Sequence, residues 1–345
     1  MSKKKKMWLY IIVGFLLLVV GAFFYCSKFC KYYPKDINLE HGPNYFGATF
    51  SSKYAADLGL EWRDVYRAMI YDLGVKKLRL PAYWDQVNPE EGVYNFTELD
   101  EMVNLASEEG VEIIIVLGHR QPRWPECHAP SWVVLKERPD RQDALIKAIA
   151  ETVNRYKNNP QIVAWQVENE AYFSAFGVCP PLDEEFLNKE VALVKSLDSR
   201  PVIITASGEI SSWKKEVALG DVFGSTLYRV VYDHRWGFFN YFFTPGFYRA
   251  KAKLSGLDYR EASIIELQTE PWVPNGKIIY LSQPDIDKSM SIDQFKANLQ
   301  FAINTGFKDV YVWGVEWWYW QKLYGNPEYW KIGKFIFDAS DPLEF

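Results

Sequence analysis

The chain has 345 residues, 48% hydrophobic and 24% charged, with a net charge of −5, and so has the composition of a globular protein of one large or two small domains. Four His and four Cys, with neither a Cys-x-x-Cys nor a His-Glu-x-x-His spacing, argue against a dedicated metal site, and no cofactor is expected. The 14 Trp, 22 Tyr and 22 Phe are unusually many, enough to fill a large core and still leave flat platforms for a ligand.

The N-terminus reads as a separate module. Lys3 to Lys6 precede Met7 to Tyr25, a stretch without charge that is long enough to cross a hydrocarbon core. A cleaved signal peptide would have a shorter apolar region and small residues after it, whereas this stretch ends in Phe23-Phe24-Tyr25. The lysine bias predicts a single-pass anchor in the lipid bilayer, with the N-terminus cytoplasmic and the rest of the chain outside. The expected organisation is a tip and membrane anchor over 1–31, a linker over 32–44 and one folded domain over 45–345. Residues 1–31 hold six Lys and no acid, which leaves the remainder at −11. A domain that acidic is a poor binder of nucleic acid or polyanions, so a neutral ligand is expected. Cys127 and Cys179 fall in two loops that the layout below makes neighbours, where an oxidising compartment would let them pair. Cys26 and Cys30 flank the membrane boundary, and the sequence assigns them no role.

From Tyr45 the chain alternates strand and helix. The apolar patterns predict strands over Tyr45 to Ser51, Lys77 to Pro81, Val111 to Leu117, the run around Ile162 to Val167, Pro201 to Ala206, Asp221 to Tyr228, Ser263 to Glu266 and Asp309 to Val315. Helices are expected over Trp62 to Leu73, Glu98 to Glu109, Asp143 to Tyr156, Leu182 to Leu197, Trp213 to Leu219, Phe247 to Leu254 and Asp293 to Asn304. Eight β/α units with strands too apolar to have a solvated face predict a closed (β/α)8 barrel. No Gly-x-Gly-x-x-Gly follows the first strand, which weakens a dinucleotide-binding alternative.

A barrel of this kind places its chemistry at the C-terminal strand ends. Strand two ends in Arg79-Leu80-Pro81 and strand three in Gly118-His119-Arg120. Strand four ends in Asn169-Glu170, strand six in Tyr228-Arg229, strand seven in Glu266 and strand eight in Trp313-Gly314-Val315-Glu316. Two carboxylates across an aromatic-lined mouth suit cleavage of a glycosidic bond, in which one group gives a proton and the other attacks or stabilises the anomeric carbon.

The order Arg-x-Pro, Gly-His, Trp-x-x-x-Asn-Glu, Ser-x-Leu-Tyr-Arg and Ile-Ile-Glu-Leu-Gln resembles the clan A glycoside hydrolases, and is similar to families 5 and 42, over roughly Tyr45 to Trp330. The resemblance implies a retaining (β/α)8 enzyme acting on a β-linked oligo- or polysaccharide by double displacement. It implies Glu170 as general acid/base and Glu266 as nucleophile, with Asn169 on the sugar 2-hydroxyl. Arg79 and Tyr228 then orient the nucleophile, His119 contacts substrate and Trp313 is the strand-eight platform. Glu270, four residues past Glu266, is a second candidate nucleophile; Glu266 is preferred because it directly follows Ile264-Ile265. Glu168 reads as structural, and Glu209 and Glu316 are further carboxylates near the mouth. The loops Gly118 to Pro139, Arg229 to Phe247 and Trp272 to Ser289 are expected to set specificity, with Trp124, Trp132, Trp236 and Trp272 placed to stack sugars or to anchor their loops. Two alternatives stay open on sequence grounds: a cell-surface glycan-binding barrel without catalysis, and a transglycosylase that remodels the cell envelope.

Overall fold

The structure, a computed structural model, describes residues 45–337 continuously, together with scattered residues between 5 and 21. Most of the expected membrane span, residues 7–25, lies outside the described residues, as do Cys26 and Cys30. Among the described residues no helix is long and apolar enough to cross a membrane.

The barrel is closed and parallel. Its strands are β1 (Phe46–Thr49), β2 (Lys77–Pro81), β3 (Glu112–Leu117), β4 (Ile162–Val167), β5 (Val202–Ala206), β6 (Val222–Leu227), β7 (Ser263–Gln268) and β8 (Val310–Trp313), each paired with its sequence neighbours and β8 with β1. Helices cross between successive strands, from Trp62–Tyr71 through Ile292–Thr305. They cover the outer face of the strands, so both faces are buried, which is why the strands read as unbroken apolar runs. Side-chain alternation then fixes what points inward. A lower interior layer holds Ile114, Ala164, Ile203, Ile265 and Tyr311. Two residues beyond Ala164 and Ile203 the interior turns polar at Gln166 and Thr205, and Arg79, Thr226, Thr49 and Glu266 join them, all buried. That change from hydrocarbon to polar atoms within the barrel marks the floor of the mouth.

The eight strand–helix units expected from the sequence are all present, and the differences lie at the C-terminal mouth. The segment after β6, read as a loop, forms a two-stranded antiparallel ribbon, Val230–Asp233 with Gly237–Asn240. The loop after β7 carries a helix, Gln283–Met290. Strand β8 ends at Trp313, not Val315; Gly314, at φ 119°, turns the chain directly into the helix Val315–Tyr324. The helix expected from Asp143 begins earlier, at Arg138, where Pro139 fits the first helical turn because its missing N–H has no partner there in any case.

Candidate active site

Strand β7 delivers Glu266 through an irregularity. Ile264 pairs with Val310 and Leu267 with Val312, so β7 has one more residue than β8 over this stretch, and its register with β6 shifts at the same place. A bulge of this kind re-aims a side chain, here toward the barrel axis. Arg79 donates from Nη1 to Glu266 Oε1 at 2.9 Å, and the Tyr228 hydroxyl donates to Oε2 at 3.3 Å. Arg79 is fully buried and donates also to Gln166 Oε1 at 2.7 Å and to Asn169 Oδ1 at 2.8 Å. One guanidinium thus fixes the two residues that strands β4 and β7 bring to the centre.

At the end of β4 the backbone makes two left-handed steps, Glu168 at φ 56° and Glu170 at φ 47°, with Asn169 between them. Such conformations cost side-chain-bearing residues about 1–3 kcal/mol each and persist where the surroundings impose them. The surroundings here are specific. Glu168 accepts backbone N–H groups from His119 at 2.6 Å and Arg120 at 2.7 Å, and a Cβ on Gly118, at φ 112°, would collide with its carboxylate. Glu170 N–H donates to Thr205 Oγ1 at 2.8 Å. Glu168 therefore ties the β3 and β4 mouth segments together from behind.

The Glu170 carboxyl is in a different situation from Glu266. Among the described residues this carboxyl has one hydrogen bond, from Thr226 Oγ1 to Oε1 at 3.2 Å. Burial, reinforced by the negative charges of Glu266 and Glu126, holds it well above the usual carboxylate range, against a weaker opposing pull from Arg120. The mouth therefore contains one carboxylate whose two oxygens both receive donors and one carboxyl that favours its neutral form.

Glu126 escaped the sequence reading. It lies on the loop after β3, is buried, and accepts from Asn169 Nδ2 at Oε2, 3.2 Å away. Burial, with the Glu266 charge adding to it, pushes its carboxyl up to about 8. The adjacent Cys127 is joined to Cys179, with Cα atoms 5.3 Å apart. Only that cysteine hinted that the loop is held in place.

The remaining candidates are distributed around the rim. His119 packs edge-on against Trp84, ring centroids 5.5 Å apart, and burial lowers it to about 4, so the imidazole is neutral at physiological pH. Trp313 is buried, and the Arg123 guanidinium lies 3.9 Å from its ring centroid, so one ring face is already covered. Arg123 is sandwiched on its other side by Tyr54 at 3.6 Å and pairs with Glu270 at 2.5 Å and Glu316 at 3.1 Å. Glu270 and Glu316 thus belong to an Arg-centred cluster, while Glu266 stands with Arg79. Glu209 accepts from the Tyr248 hydroxyl at 2.6 Å and from the Tyr228 backbone N–H at 3.0 Å. Trp124 and Trp236 are exposed, Trp272 is edge-on to Tyr228 at 5.9 Å, and Trp132 is held to its own loop by a bond to the Asn88 carbonyl at 3.0 Å. Among the described residues no cluster of His, Cys, Asp and Glu is arranged to hold a metal ion.

Residues 49–197 match the family model described as cellulase, glycosyl hydrolase family 5. Among curated relatives, a β-galactosidase of Clostridium cellulovorans is 26% identical over 171 residues, 44% of this chain and 26% of that protein. A β-galactosidase of Halorubrum lacusprofundi is 28% identical over 131 residues, 32% of this chain and 18% of that protein. The aligned region spans about a quarter or less of the length of these relatives. Among solved structures, xylanase 10B of Thermotoga petrophila, in complex with xylobiose, superposes with a TM-score of 0.52 at 18% identity, covering 78% of this chain and 82% of that one. A GH5_18 variant from Bifidobacterium longum in complex with Manb1-4GlcNAc gives 0.54 at 12% identity, covering 79% and 69%. The chain is thus a closed eight-stranded (β/α)8 barrel whose residues 49–197 are similar to the glycosyl hydrolase family 5 model.

Proposed function

We propose that this protein is a membrane-anchored retaining glycoside hydrolase that cleaves neutral β-linked sugars by double displacement. The observation that carries the reading is the unequal treatment of the two central carboxyls. Glu266 receives Arg79 on one oxygen and Tyr228 on the other, as a nucleophilic carboxylate requires. Glu170 is buried beside negative charge and favours the protonated form, as an acid that must protonate a leaving oxygen requires. In the first step Glu266 attacks the anomeric carbon while Glu170 gives its proton to the departing glycosidic oxygen. The second step reverses these roles: Glu170, now ionised, takes a proton from water as the water attacks the glycosyl–Glu266 ester, and the sugar leaves with its original anomeric configuration.

The β-galactosidase relatives make a β-galactoside the first substrate to try, within a panel of aryl β-glycosides. Glu266→Gln is expected to abolish turnover on whichever glycoside the parent accepts while circular dichroism and melting stay close to the parent's. Turnover at the parental rate would remove Glu266 from the role. The uncharged stretch over residues 7–25 and the lysines before it support anchoring with the barrel outside the cytoplasm, a compartment in which Cys127 and Cys179 stay oxidised. Deleting residues 1–31 is expected to move the protein from the membrane fraction to the soluble fraction; an unchanged membrane association would contradict the anchor.

A further inference from the structure

Asn169 is held at one end by three donors. Its Oδ1 receives Arg79 Nη2 at 2.8 Å, Gln166 Nε2 at 3.2 Å and Thr205 Oγ1 at 3.4 Å, which fixes which end of the amide is oxygen. Three donors on one atom still leave the amide plane free to rock about that atom. The other end, Nδ2, is 3.2 Å from Glu126 Oε2, which takes one of its two hydrogens and leaves the other free.

Glu126 is itself tightly placed. Across from it, Gly177 at φ 90° comes so close that a Cβ there would lie 2.8 Å from the Glu126 Cβ. Val178 N–H donates to the Pro125 carbonyl at 2.9 Å, Arg120 Nη2 donates to the Phe176 carbonyl at 2.8 Å, and Cys127 is bonded to Cys179. The loop after β3 and the loop after β4 therefore form one cross-linked unit, with the Glu126 carboxyl pointing from it onto Asn169. A buried carboxyl beside another acidic group is costly to ionise, and Glu126 is held there by the cross-linked loops.

We infer that Glu126 is a positioning residue: it fixes the Asn169 amide so that the free Nδ2 hydrogen faces the hydroxyl next to the anomeric carbon of the bound sugar. This rests on the reading of Glu170 and Glu266 as the reacting pair and adds a residue that neither the family match nor the relatives assign. The charged groups acting on Glu126 are Glu266, Arg120, with its Nε 3.9 Å from Oε2, and Arg79. The carboxyl need only accept a hydrogen bond, so a glutamine, whose carbonyl also accepts, is expected to replace it, whereas alanine is not.

The test compares parent, Glu126→Gln and Glu126→Ala on an aryl β-glycoside and on its 2-deoxy analogue. Glu126→Ala is expected to lower kcat on the parent glycoside by about 10- to 100-fold, the scale of a misplaced contact, and to change kcat on the 2-deoxy analogue less than about twofold, while Glu126→Gln stays within a few-fold of the parent on both. Equal losses on both substrates would show a merely structural role and overturn the inference, as would no loss in the alanine variant. A second readout does not depend on turnover. In protein labelled with 15N-asparagine, the side-chain amide signal lost in Asn169→Asp is expected to shift with pH with a midpoint near 8 in the parent, following Glu126, and to show no such midpoint in Glu126→Gln. An identical titration in the two proteins would overturn the contact. Absence of turnover by the parent on every glycoside tried would instead strike the hydrolase reading, and the amide signal would still decide whether Glu126 holds Asn169.

Discussion

At the level of single residues, the mouth is a set of carboxyls sorted by their surroundings. Arg79 and Tyr228 donate to Glu266, Arg123 takes Glu270 and Glu316, and backbone amides take Glu168. Burial is the largest influence on several of them and raises Glu126 to about 8 and Glu168 and Glu209 each to about 7, the last two despite the hydrogen bonds they accept. Groups raised in the folded state stabilise it fully below their unfolded value near 4.5, and that contribution is lost as pH climbs through the folded values. Over that window each raised carboxyl contributes a slope of about 1.4 kcal/mol per pH unit. The melting temperature is therefore expected to fall between about pH 5 and pH 8, and Glu126→Gln and Glu209→Gln to flatten the fall. Thermal melts across that range decide it; a melting temperature constant or rising from pH 5 to 8 would contradict the assignment of neutral buried carboxyls. In the sequence, Glu170 and Glu266 stood out as candidates because each follows closely on an apolar run, Ile162–Val167 and Ile264-Ile265. Glu126 did not, because it enters the site from a loop whose Arg123 and Glu126 adopt φ of 84° and 73°, conformations that non-glycine residues do not advertise.

At the level of elements, periodicity located every barrel strand because β strands buried on both faces must be apolar along their whole length. Boundaries at the mouth were less legible for a physical reason. There the chain leaves the strand by left-handed turns at Gly118, Glu168, Glu170 and Gly314, and local composition does not say where the ladder stops. Strand β7 shows the opposite error: expected to end at Glu266, it continues to Gln268, whose side chain accepts the N–H groups of Arg229 at 2.8 Å and Val230 at 3.0 Å and so anchors the start of the ribbon. The ribbon itself has aromatic residues on both faces in place of an alternating pattern, so nothing in its sequence separates it from the surrounding loop. The pairing of Cys127 with Cys179 depends on β3 and β4 being neighbours, and follows once the barrel order is known.

At the level of the whole molecule, the barrel brings together groups 187 residues apart in sequence, Arg79 and Glu266, next to a floor of Ile114, Ala164, Ile203, Ile265 and Tyr311. That floor supplies rigidity and low polarity, and the polar layer above it holds Glu266 among donors and Glu170 in a setting that favours its neutral form. The central claim is that Glu266 attacks the anomeric carbon and Glu170 serves first as acid and then as base. Its most direct test is the proton NMR spectrum of the sugar released from a β-glycoside in the first moments of hydrolysis, before mutarotation. The account predicts that the β-anomer appears first and the α-anomer grows in later; an α-anomer formed first would mean inversion and would contradict it.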